Sequence, residues 1–166
     1  MKKLFALLIA IISCVAVFAF AGCTTDEREQ TTDKIEQGYS ICYAFTASND
    51  IITITDSTSM KDYMDALKKA GRLSFEGSDG DYGYYITSVL GVSSVTVSST
   101  ANSYSGYDWT VYTTSTTIDG TIYSSDSETF TYNGITLYKA AYGVSGIPCV
   151  SGQTYALVYE LSSMSW

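Results

Sequence analysis

The chain contains no histidine. Ser-His-Asp and Cys-His catalysis are excluded in their usual forms, as are zinc sites that need imidazole ligands. Basic side chains are scarce too, with nine Lys and Arg against 17 Asp and Glu in 166 residues. Such a balance repels phosphate, so nucleic acid is excluded as a partner. Serine is abundant, but without His or a convincing Lys partner it marks no hydrolase. The scattered carboxylates mark no acid–base pair of the glycosidase kind either. The sequence therefore points to no enzyme.

A long apolar run occurs at the start of the chain. Lys2 and Lys3 precede Leu4 to Ala21, and Ala21-Gly22-Cys23 puts two small residues before a cysteine. This is a signal peptide with its cleavage site, and the cysteine makes it a lipobox, although Phe20 stands where such boxes usually carry Leu. The competing reading is a retained anchor, because the run is just long enough to span a bilayer. The lipobox predicts that residues 1–22 are removed and that Cys23 carries the lipid. The protein is then extracytoplasmic, held to the cell membrane by acyl chains and without a spanning helix. Removing 22 of 166 residues leaves 144, enough for one domain with a core. Lys2 and Lys3 leave with the signal, so nine basic residues become seven and the mature net charge is −10. That charge argues against the domain lying flat on an anionic membrane.

Residues 23–38 are polar and form a flexible tether to a single domain over 39–166. Tyr39, Ile41, Tyr43 and Phe45 alternate as one face of a strand. Ser48-Asn49-Asp50 is turn chemistry, and Ile51 to Thr55 is β-branched, which predicts a hairpin. Ser59 with Asp62 predicts a capped helix whose buried stripe is Met60, Tyr63, Met64, Leu67 and Ala70, ending at Gly71. Lys61, Asp65, Lys68 and Lys69 fall on its wet side. Further strands are predicted at Tyr84–Val89, Trp109–Thr114, Thr129–Tyr132, Ile135–Tyr138 and Tyr155–Leu161, with Asn133-Gly134 as the strongest hairpin signal. The order implies an α+β fold, a sheet crossed by one α-helix. The Ser/Thr-rich stretch 93–128 adds exposed strands or long loops. Glu76-Gly77-Ser78-Asp79-Gly80-Asp81 lacks the full ligand run of a calcium loop and is assigned as a solvated turn, so no metal site is expected. Cys42 and Cys149 either form a disulfide or are small buried hydrophobes.

Four segments in order carry a family resemblance. They are Ser59-Met60-Lys61-Asp62-Tyr63-Met64, Tyr82-Gly83-Tyr84-Tyr85-Ile86-Thr87-Ser88-Val89, Tyr107-Asp108-Trp109-Thr110-Val111-Tyr112, and Gly143 to Pro148 followed by Gly152 to Tyr159. Together they resemble the transcobalamin-like C-terminal domain family, small domains of bacterial surface lipoproteins. The resemblance implies a β-grasp-like mixed sheet whose first and last strands pair in parallel. It also implies ligand binding, with cobalamin as the guess, and a membrane transporter as a partner. The sequence departs from the family at Thr113-Thr114-Ser115, where many members carry Asn-Gly.

Fifteen tyrosines stand against six Phe and two Trp. Tyrosine gives rigid, amphipathic contact area at low entropy cost. Tyr84, Tyr85, Tyr107, Trp109 and Tyr112, near Gly-rich turns, are the candidate ligand-binding residues. The competing reading makes alternate strand aromatics core or cross-strand pairs. Two functions stay open: capture of a small molecule, or a surface interaction module that contacts protein or glycan.

Overall fold

The computed structural model describes residues 41–118 and 121–166. The signal peptide, Cys23 and the tether lie outside the described residues. Strands are β1 (Ile41–Thr46), β2 (Phe75–Gly80), β3 (Gly83–Val89), β4 (Val92–Ser93), β5 (Val95–Ser99) and β6 (Ser103–Thr113). They continue with β7 (Thr117–Ile118), β8 (Thr121–Ile122), β9 (Ser124–Tyr132), β10 (Ile135–Ala140) and β11 (Thr154–Ser165), and α1 spans Met60–Lys69.

The α+β expectation is corrected. Strands make up 56% and helix 8% of the structure, so this is a mostly-β domain. The main sheet runs β1-β11-β6-β10-β9, with β5 also on β6; β2-β3-β4 and β7-β8 form smaller sheets. Every pairing is antiparallel. The mixed β-grasp sheet is overturned with it: first and last strands do pair, Ile41 opposite Tyr159, but in opposite directions.

The one helix among the described residues forms because its local signals agree. The Ser59 hydroxyl accepts from the Asp62 N–H at 3.2 Å, and the Asp62 carboxylate accepts from the Ser59 N–H at 2.9 Å, a reciprocal cap. The Ser59 hydroxyl, 2.7 Å from Asp62 Oδ2 as a donor, and then the Ser59 N–H hold the Asp62 carboxyl below its ordinary pKa. At the other end Gly71, at φ +71°, donates to Lys68 O while Arg72 N donates to Leu67 O. These two bonds make a Schellman stop. Met60, Tyr63, Met64 and Leu67 are buried. Lys68 is not idle on the wet side; its Nζ donates to Phe75 O at 2.9 Å and sits 4.9 Å over that ring.

The hairpin expected at Ile51–Thr55 is a loop. Side chains outcompete the ladder there: Asn49 Oδ1 accepts from Ile54 N at 2.8 Å, and Thr58 Oγ1 accepts from Thr55 N at 2.9 Å. Ile51, Ile52 and Ile54 pack their sides on the core instead. The turn assigned at Glu76–Asp81 is mostly strand β2, paired to β3 from Phe75↔Val89 to Gly80↔Gly83. Asn133 and Gly134, at φ +48° and +78°, make the expected tight turn between β9 and β10.

Both faces of the main sheet are covered over β11. Tyr155, Leu157 and Tyr159 join α1, Trp109 and Ile41 in the larger core. Ala156 and Val158 join Tyr112 and Leu137 in a second cluster, with Phe130 and Tyr132 of β9 and Cys42 and Ala44 of β1 packed on it. First and last strands of the path meet on one small cluster, so the sheet curls toward closure. The two cysteines do not bridge, because they sit on opposite faces of this sheet. Cys42 packs on the outer cluster and Cys149 in the inner core. Burial pushes the Cys149 thiol up to about 11, which keeps it protonated and unreactive at neutral pH.

Candidate functional site

The loop after β10 is built by its glycines and by β3. Gly143 N donates to Tyr82 O at 2.8 Å, Val144 N to Tyr84 O at 3.0 Å, and Tyr84 N to the Ser145 hydroxyl at 2.8 Å. A side chain on Gly143 would put Cβ 2.6 Å from the Tyr84 carbonyl, so only glycine permits this approach. The same loop receives the helix: Met60 N donates to Ile147 O and Lys61 N to Val144 O. The start of β3, the end of β10 and the head of α1 are thus locked together.

Beside this junction, between β3, β6 and the end of β10, lies a cleft of about 160 Å³, bordered by Tyr84, Tyr85, Trp109, Thr110, Val111 and Tyr142. Tyr85 is 46% exposed and Tyr142 39% exposed. The Tyr85 ring meets Gly80 with one edge, where an added Cβ would lie 2.6 Å from Cε2 and 2.8 Å from Cδ2. Tyr142 is steadied by Tyr123, with ring centroids 6.0 Å apart. On the side of β6 away from β11, β5 pairs up to Tyr107 and β10 from Tyr112. Asp108–Val111 therefore have no described strand partner on the edge that lines the cleft.

Of the five aromatic candidates, Tyr84, Tyr85 and Trp109 share this cleft. Only Tyr85 is displayed. Tyr84 packs edge-on to Phe75 at 6.2 Å beneath Lys61. Trp109 is 6% exposed, its indole N–H donates to Val92 O, and its ring lies 5.3 Å from Tyr159. Tyr107 stacks on the far side of Tyr159 at 5.8 Å. Tyr112 is on the opposite sheet face, buried, its hydroxyl donating to Glu160 Oε1 at 3.0 Å; burial and that carboxylate raise its pKa. Tyr142 escaped the sequence reading. Its signal was Tyr142-Gly143, an aromatic beside a glycine in the same manner as Tyr82-Gly83.

Broader depressions lie elsewhere, one of about 360 Å³ beside Thr116, Ile122 and Tyr138 among them. One of about 570 Å³ opens between Ile51-Ile52 and the Asp62–Lys69 face of α1, and no aromatic lines it. Another of about 380 Å³ follows β1, where the polar lining is bonded within the domain, Thr46 to Thr154 and Ser48 to Asp50. Among the described residues, no three Cys, Asp or Glu side chains gather as a metal site. No described helix is long and apolar enough to cross a membrane.

No family model matches the chain, and neither a curated protein nor a solved structure is similar to it. The likeness to transcobalamin-like domains rests on the motifs alone.

Proposed function

We propose that the chain is a lipid-anchored extracytoplasmic binding domain that holds one sugar unit of a surface glycan in the Tyr85–Tyr142 cleft. The observation that carries this reading is the Tyr85 ring, held by its Cδ2–Cε2 edge against Gly80 and left 46% exposed at the cleft. An aromatic fixed in that way is a platform for the C–H face of a pyranose, and it loses little entropy on binding. The cleft is lined by no carboxylate, which favours binding over turnover. Its volume of about 160 Å³ lies below the ~300–1,000 Å³ of pockets that enclose drug-sized ligands, so it takes a fragment of a larger partner and does not enclose a corrin ring. A peptide strand is disfavoured because β5 and β10 occupy the positions at both ends of the four-residue gap in β6.

The test is an NMR titration of the soluble domain with chitotriose, cellotriose and maltotriose, with cyanocobalamin and an unstructured peptide as comparators. One of the sugars should move the resonances of Tyr85, Tyr142 and Thr110. Tyr85→Ala should fold normally and weaken that sugar about thirtyfold, the loss of a central aromatic anchor worth about 2 kcal/mol. Full affinity in folded Tyr85→Ala and Tyr142→Ala removes the cleft from the function. Binding of the peptide alone makes the partner a protein.

Anchoring has its own test. Cys23→Ala should abolish incorporation of labelled fatty acid and leave the precursor uncut. Normal labelling and maturation of that variant would end the lipoprotein reading.

A further inference from the structure

Beyond the core, β5, the first half of β6 and the end of β11 continue as a three-stranded blade. Val95, Tyr107 and Leu161 stand in register across it, and Tyr104 and Met164 pair three residues further out, on the opposite face. Its apolar side chains are open to solvent: Val95 53%, Val97 61%, Leu161 57%, Met164 57% and Trp166 70% exposed. Exposed apolar groups on both faces of one projecting blade of an extracytoplasmic domain mark a contact region.

Three features say what that surface meets. The first is charge. From Tyr82 to Tyr107, and again from Leu161 to Trp166, there is no Asp, Glu, Lys or Arg in a chain that carries 17 acidic residues. The nearest side-chain carboxylates, Asp108 and Glu160, pair across the base of the blade and accept from the Tyr104 and Tyr112 hydroxyls. They stand roughly 20 Å from Trp166 at about 3.3 Å per residue, more than two screening lengths of ~8 Å. The second is direction. β1 is antiparallel to β11 and starts opposite Tyr159, so the N-terminal end of β1 faces the side to which the blade projects. The eighteen residues from Cys23 to Ser40 have a contour of roughly 60 Å, ample to let the blade tip touch the layer that holds the lipid. The third is Trp166 itself. Its indole N–H already donates to Ala101 O at 2.9 Å and its backbone N–H to Asn102 O at 3.1 Å. The ring is displayed with its polar end satisfied, as suits a residue seated at a membrane interface.

We infer that the blade tip, Trp166 with Met164 and Val97, is a second membrane contact that stands the domain end-on against the lipid surface. The inference rests on the lipid-anchor reading. The acidic loop residues Asp50 and Asp56, which follow β1 at its other end, are then turned away from the headgroups.

The experiment uses the full mature chain with its lipid, reconstituted into vesicles of phosphatidylglycerol and phosphatidylcholine brominated near the headgroup. Trp109 is buried and common to all samples, so the comparison is between wild type and Trp166→Phe. The brominated lipid should quench and blue-shift a component of wild-type emission that Trp166→Phe lacks. A lipidated chain that floats with the vesicles but shows equal quenching with and without Trp166 overturns the tip contact and leaves the anchor intact. A mature chain that carries no lipid overturns both.

Discussion

Trp109→Ala is expected to unfold the domain more readily by about 3–5 kcal/mol, the cost of truncating a large core aromatic. The indole is 6% exposed and bordered by Tyr159, and Tyr159 stands directly opposite it on β11. Truncation opens a void between α1 and the middle of the sheet. It also strands the Val92 carbonyl, which receives the indole N–H at 2.9 Å, and an unsatisfied buried acceptor adds about 1–3 kcal/mol at most. A denaturant melt decides the matter. Trp109→Ala should move the midpoint far below wild type, while Tyr85→Ala, on the open side of the same cleft, should stay near it. A midpoint for Trp109→Ala close to that of Tyr85→Ala would return Trp109 to the binding surface.

Leu67→Ala carries the second large effect, about 2–5 kcal/mol. Leu67 is 1% exposed on the buried stripe of α1, among Met60, Tyr63 and Met64. Its carbonyl also closes the helix by accepting from Arg72 N, but the substitution leaves that backbone bond in place. The loss is therefore a packing loss, and it should leave the steepness of the transition unchanged. Lys69→Ala is the matched control, with an expected change within about 0.5 kcal/mol. Lys68 is unsuited to that purpose because of its bond to Phe75 O. Equal melts for the Leu67 and Lys69 variants would mean that the helix does not pack through this stripe.

The helix was legible because everything that defines it is local: Ser59 and Asp62 at one end, Gly71 at the other, and a 3.6-residue stripe between. The Asn133-Gly134 turn was legible for the same reason. The order and direction of strands were not. A period-2 pattern such as Tyr155, Leu157, Tyr159 states which side chains share a face, but not which strand lies alongside or in which sense. The parallel pairing of first and last strands came from resemblance, and antiparallel registry between Ile41 and Tyr159 replaced it. Ile51–Thr55 misled because β-branched residues favour strand on average, while Asn49 and Thr58 spend their side chains on its backbone. The outer half of β6 was hidden by Ser and Gly, which carry no strand preference. At the cleft, Tyr85 was legible as an aromatic presented after Gly83. Trp109 and Tyr112 were misplaced because alternation cannot tell a face covered by a helix or by a curled sheet from one left open.

The place of β11 has a consequence for how the chain comes to its native state. It is the last strand in sequence, yet it lies between β1 and β6 in the main sheet. Ile41 meets Tyr159 only after the intervening chain has been gathered in, a non-local closure that carries a large entropic cost before any contact repays it. Until Thr154–Ser165 has been delivered, β1 lacks its described partner strand and the core under α1 lacks Tyr155, Leu157 and Tyr159. A nascent chain that still lacks Thr154–Ser165 therefore lacks an interior strand of its main sheet, and that sheet is completed only when the C-terminal strand arrives.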